Sequence, residues 1–219
     1  MFVGHHAVGF ASKRLVPGVS LGWLVAAPLF LDLVWPVLVL SGVERVRIDP
    51  GNTAVTPLAF DHYPWSHSLA MTVAWGLLFA GAVFLATRNR AASVVAGLGV
   101  VSHWVLDALS HGPDVPVGLS GPMVGLGLWR SVPATAAVEG VLFLAALVLY
   151  ARSTRPVDRV GRWAFVGYVV LVTGIWAAAL TGTPPPSVAA VAGAGMAAWL
   201  FPFWAAWLDR HRAPRAGKA

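Results

Sequence analysis

The chain has no cysteine among its 219 residues. That excludes a disulfide framework, a thiolate metal site and a cysteine nucleophile. Charge is scarce too: 11% of residues are Asp, Glu, Lys or Arg, where an ordinary soluble domain carries about 25%. The first residues offer no basic stretch leading into a short apolar core with a small-residue cleavage site, so no cleaved signal peptide is expected.

What the chain has in quantity is apolar surface. Hydrophobic residues make up 58%, and they are gathered into blocks instead of alternating with polar ones. Six blocks are long enough to cross a bilayer: Ser20–Leu40, Ser68–Thr87, Ala91–Leu109, Pro133–Tyr150, Trp163–Thr181 and Val188–Leu208. The expected fold class is an all-α integral membrane protein with about six transmembrane helices plus a short N-terminal half-helix. Residues 1–209 form one polytopic domain, with 1–17 as a re-entrant or interfacial half-helix, 18–150 as the site-bearing helices and 163–208 as scaffold. Residues 210–219 form a basic tail. Pro28, Pro36 and Pro202 lie inside spans, where they kink helices and free carbonyls for neighbours to satisfy.

The net charge of +6 does not point to nucleic acid, because the cations sit in short loops between apolar blocks. Twelve of the fifteen Lys and Arg residues fall on one side; only Arg45, Arg47 and Arg130 fall on the other. The cation-rich side is the cytoplasmic one, so both termini are expected there, in a multi-pass protein of the cell (plasma or inner) membrane.

Ionisable residues inside these spans are few and therefore informative. Ser102–Pro113 reads SHWVLDALSHGP, placing His103, Asp107 and His111 on one helical stripe. Asp32 lies eight residues before the end of the first span, His67 opens the second, and Glu139 lies about two turns into the fourth. All fall within roughly 12 Å of the outer boundary at the helical rise. Spans five and six carry no ionisable residue in their interiors. If Met1–Arg14 folds back on the first span around Val16-Pro17-Gly18, His5 joins the same level.

The loop Ser41–His67 is long, which favours a functional role. It ends in Asp61-His62-Tyr63-Pro64-Trp65-Ser66-His67-Ser68. The loop Gly112–Val132 is apolar and rich in Gly and Pro, a candidate lid with Trp129 at the interface. Imidazoles and carboxylates without thiolates suit a divalent metal, zinc first, with manganese or iron as alternatives. The candidate ligands are His5, Asp32, His67, His103, Asp107 and His111. Asp61, His62 and Glu139 are the candidates for proton transfer. Three other readings stand beside these. His111 can simply close its helix, Glu139 can pair with Arg130 or another helix, and His103–Asp107 can be a buried hydrogen bond. His6 and His211 are taken as structural.

Gly4-His5, Asp32, His67-Ser68 and Ser102-His103 with Asp107 follow in an order that resembles the bacterial membrane-bound metal-dependent hydrolases, a group described as distantly similar to zinc-dependent phospholipase C. The resemblance covers about the first 110 residues. Many members carry Asp-x-Asp-His in the first helix, where this chain has Asp32 followed by Leu33, Val34 and Trp35. It implies a metal-dependent hydrolase, with a phosphoester or lipid-linked substrate at the outer leaflet. The alternatives are a non-catalytic multi-pass protein with a structural metal or hydrogen-bond site, and an ion or proton carrier.

Overall fold

The computed structural model describes residues 1–181 and 183–215. Lys218 and the other residues beyond 215 in the basic tail lie outside the described residues. The chain begins with α1 (Val3–Ser12), a half-helix, followed by α2 (Leu21–Leu40). A ribbon of β1 (Arg45–Ile48) and β2 (Leu58–His62) leads through the single turn α3 (Pro64–His67) into α4 (Leu69–Thr87). Next come α5 (Arg90–Ser110), a small ribbon of β3 (Val115–Pro116) and β4 (Met123–Val124), and α6 (Val132–Ser153). β5 (Thr154–Pro156), α7 (Arg159–Thr181), α8 (Val188–Ala197), α9 (Leu200–Arg210) and β6 (Arg212–Pro214) complete it. Among the described residues six helical segments are long and apolar enough to cross a membrane, α8 and α9 together making the sixth. The protein is an all-α multi-pass membrane protein; its sheets are two-stranded ribbons.

The sixth span departs from a continuous helix. Pro202 has no N–H to give the carbonyl of Ala198 four residues back, and the chain turns at Ala198–Trp199 before resuming as α9. Pro28 and Pro36 do not break α2, which runs unbroken from Leu21 to Leu40.

Helix α2 is the axis of the molecule. It buries 61% of its apolar window, whereas α7 buries 17%. Helices α1, α5, α8 and α9 all pack on it. Since hydrocarbon solvates leucine as well as another helix does, such contacts depend on close backbone approach and shape. Two glycines permit it. A Cβ at Gly9 would lie 2.8 Å from the Val25 Cα and 2.9 Å from the Leu24 carbonyl, and one at Gly99 would lie 3.0 Å from the Ala27 Cβ.

Helix α1 lies inside the bundle, antiparallel to α2 and against α6. Its buried face is aromatic, with Phe10 edge-on to Tyr150 and Tyr168 at centroid distances of 5.0 and 5.3 Å. His6 Nδ1 pairs with the Tyr168 hydroxyl at 2.9 Å, a structural contact to α7. A half-helix ending within apolar surroundings must find acceptors for its first N–H groups. Glu139 of α6 supplies them: its Oε2 accepts from Phe2 and Val3 at 3.0 Å each, and from Gly4 at 3.5 Å. A carboxylate is also the charge that a helix N-terminus favours.

Two ends can be distinguished. The site end carries the β1–β2 ribbon and the loop from α5 to α6. The far end carries the β5–β6 ribbon, where Arg212 donates to Thr154 Oγ1 and the Gly161 carbonyl at 3.1 and 2.9 Å.

Candidate metal centre

Asp107 stands at the middle of the site. It projects from the last turns of α5, one turn beyond His103, and both are buried. Its Oδ2 lies 3.0 Å from His103 Nε2 and 3.8 Å from His67 Nε2. Its Oδ1 lies 3.2 Å from His5 Nε2 and accepts from the Met1 amino group at 2.6 Å. The His5 ring stacks on that of His103, centroids 3.8 Å apart and planes within 3°. The structure thus brings His5 to the cluster through the fold-back of α1.

The two central histidines have determined tautomers. His103 Nδ1 lies 2.7 Å from the Pro28 carbonyl, which can only accept, so this nitrogen carries the hydrogen. His67 Nδ1 lies 2.6 Å from Ser66 Oγ, whose own hydrogen goes to Glu44 Oε2 at 2.6 Å; His67 Nδ1 must therefore donate. Glu44 also accepts from the Ser66 backbone N–H at 2.8 Å. In their neutral forms both rings then present bare Nε2 lone pairs, and these face each other at 3.2 Å. Asp32 Oδ1 closes the group at 3.5 Å from His67 and 3.8 Å from His103.

Five separations among these four groups are 3.0 to 3.8 Å. Tetrahedral bonds of about 2.0–2.1 Å to a central ion would give separations of ~3.3 Å. Asp32, His67 and His103 can hold a metal ion, and so can His5, His103 and Asp107. The supports of His103 and His67 are those that orient ligating imidazoles, a carbonyl on one Nδ1 and a carboxylate-bonded hydroxyl on the other.

The cluster opens in one direction. The Asp32 side chain is 42% exposed and lines a cavity of about 200 Å³ with Trp35, Phe60, His67, Asp107 and Trp129 among its walls. His111 lies at the rim. Its Nδ1 is 3.2 Å from Asp114, its Nε2 stands 3.9 Å from Asp107, and its ring packs on Trp129. Trp129 is held over the site by the loop from α5, where Leu126 and Gly127 donate to the carbonyls of Ala108 and His111.

Three expected proton-transfer residues are not brought together here. Asp61 follows Phe60 in β2, and strand alternation turns Phe60 to the cavity and Asp61 to the exposed face. There it binds Arg47 Nε at 3.0 Å, and that hydrogen bond, with Asp49 beside it, pushes the guanidinium pKa up. His62 is half-buried in the ribbon opposite Arg45. Glu139 is buried, with its Oε2 engaged by the α1 N–H groups. In their place the structure supplies Glu44 and Ser66, which sequence reasoning missed. One signal was present: Arg45 and Arg47 alternate outward, so Glu44 and Val46 share the inward side.

The chain matches no protein-family model, no curated protein and no solved structure.

Proposed function

We propose that the protein is a membrane-embedded metal-dependent hydrolase acting on a phosphoester in a lipid or lipid-linked substrate. In this reading it belongs to the cell membrane with the end that holds Lys13 and Asp209 cytoplasmic, and the site, with the Met1 amino group in it, faces the outer leaflet. The observation that carries the proposal is the pair of imidazoles meeting Nε2 to Nε2 at 3.2 Å, with both Nδ1 hydrogens committed elsewhere and two carboxylates beside them. Lone pairs so placed repel unless a cation lies among them. Imidazole and carboxylate donors without thiolates suit zinc first, with manganese or iron as alternatives.

His67, His103 and Asp107 would hold the ion, leaving a position open on the cavity side beside Asp32. A bound ion polarises a phosphoryl oxygen and lowers the pKa of its water towards about 7. Asp32 is the carboxylate open to the cavity, and so the one placed to take the proton from attacking water. His5 holds Asp107 through its other oxygen. Glu44, acting through Ser66, keeps the His67 ring turned to the site. A carrier would need polar groups along both halves of the spans, whereas this cluster is confined to one end. A purely structural metal would be closed by four protein ligands, and the 42% exposure of Asp32 argues against closure.

The test is metal content per chain in detergent-purified wild type, His103→Ala and Asp107→Asn, followed by turnover of a short-chain phospholipid. Near one equivalent in wild type is expected, with less than a tenth of that in either variant. Hydrolysis should fall more than a hundredfold on chelation and return with zinc. Negligible metal in all three proteins overturns the proposal. Full metal without turnover of any phosphoester leaves a structural site.

A further inference from the structure

A second cavity, of about 370 Å³, adjoins the metal-site cavity and shares four of its walls: Phe2, Leu58, Phe60 and Trp129. The two differ in what else surrounds them. The inner one is walled by the His and Asp cluster, the outer one by Ile175, Trp176, Ala178, Ala179 and Leu180 of α7 and by the loop before β2. Its one ionisable wall residue, Glu139, has its Oε2 engaged by backbone N–H groups. Helix α7 packs chiefly on α9, and α6 chiefly on α1. Their site-end halves present apolar side chains, Ile175 and Val141 among them, to the surroundings. At that depth the surroundings of a spanning helix are hydrocarbon. A side passage from the bilayer to the candidate metal site would run through the outer cavity.

We propose that this passage seats one acyl chain of a glycerophospholipid drawn sideways from the leaflet, with its phosphate at the His and Asp cluster. The assignment rests on the hydrolase reading and names its substrate class. Together the two cavities fall within the range of small-ligand pockets, about 300–1,000 Å³. An apolar groove ending in a cation site matches a molecule with a hydrocarbon chain at one end and a phosphate at the other. Trp35 lines the inner cavity and Trp176 the outer one, and the indole nitrogens of both are buried with no hydrogen-bond partner. Unpaired buried donors are costly, and a turn of either ring toward its cavity would bring the N–H to an ester carbonyl between chain and phosphate. A polyprenyl phosphate, which has no carbonyl, offers no such acceptor.

The test uses the full chain in phosphatidylcholine vesicles containing a small fraction of phosphatidic acid with a diazirine on one acyl chain. After irradiation, label should concentrate on Val55–Phe60 and Ile175–Leu180, several-fold above the lipid-facing face of α4. Ala179→Trp and, separately, Ala178→Trp should lower that label at least fivefold. Leu78→Trp, on exposed α4, should not change it. Label spread along all helices in proportion to exposure overturns the proposal, as does label indifferent to both Ala→Trp changes. Preferential labelling by a diazirine polyprenyl phosphate also overturns it. Metal content measured on the same variants should equal that of wild type. Because labelling needs no turnover, absence of metal in wild type would sink the hydrolase reading by a separate measurement.

Discussion

Each end of the bundle buries an ion pair, and the two are built on different balances. At the far end Lys13 Nζ meets Asp209 Oδ2 at 2.6 Å and donates to the Val19 carbonyl at 2.6 Å, while Asp209 also accepts from Leu21 N–H at 3.0 Å. One cation faces one anion, and each has a backbone partner. The pair ties α1, the start of α2 and α9 together. At the site end two carboxylates, Asp32 and Asp107, converge with His67 and His103 on one ammonium, that of Met1. Buried carboxylates thus give a one-to-one lock in one place and a group able to hold a metal ion in the other. What separates them is the count of carboxylates against cations, not burial alone.

The comparison is broken most severely at the lock. Lys13→Ala leaves Asp209 with no cation partner, and removing one member of a buried pair costs about 3–5 kcal/mol. Thermal or denaturant melting should show that loss, while metal content per folded chain stays at the wild-type value. Lys13→Met with Asp209→Leu should recover most of the stability, since a well-packed apolar pair can replace a buried ionic one. Failure of the double variant to recover would mean that the pair does more than tie helices.

Glu139→Gln comes next. Losing the charge on the acceptor of the α1 N–H groups should cost about 2 kcal/mol, with metal affinity within tenfold of wild type. The four converging groups sit on α2, α3 and α5, and α1 contributes only His5. Loss of all metal with an intact fold would instead make Glu139 part of the centre.

These contrasts also show what the sequence made legible. Six spans, the stripe His103–Asp107 and the shared depth of Asp32 and His67 follow from hydropathy and helical spacing, which are local properties. The fold-back of α1 was expected from small residues and the Val16-Pro17-Gly18 turn. The acceptor for its N-terminus, Glu139, lies over 130 residues away, and no local pattern states that partnership. Asp61 and His62 drew notice because the run before His67 is rich in reactive groups, yet strand alternation decided which of its members face the site. The break in the sixth span comes from one proline, which an averaged apolar window conceals.

A smaller effect tests how the site end is tuned. Ser66→Ala removes the group that holds His67 Nδ1–H and passes its orientation to Glu44. Partners of this kind are worth about 10–100-fold in metal affinity. Competition with a chelator of known strength should show roughly a tenfold weaker site in Ser66→Ala, with folding stability little changed. An unchanged affinity would mean that packing against Tyr63 and His103 suffices to orient the ring.

The smallest change is expected at the far-end surface. Asp158 caps α7, accepting from Gly161 N–H at 2.8 Å, and its other oxygen meets His211 Nδ1 at 2.7 Å. The Gly161 N–H first, and then His211, hold this carboxyl below its ordinary value of 3.8. A carboxyl depressed in the folded state binds its proton more weakly there than in the unfolded chain. Its contribution is therefore fully present above pH 3.8 and is lost as pH falls through the lower folded value. Both groups are exposed, so solvent screens the interaction, and Asp158→Ala should lower the melting temperature only slightly at pH 7. The gap from wild type should shrink on acidification below the carboxylate range. A gap equal at both pH values would show that the uncharged carboxyl caps the helix as well as the carboxylate does, and that the charge of Asp158 adds nothing to the far end.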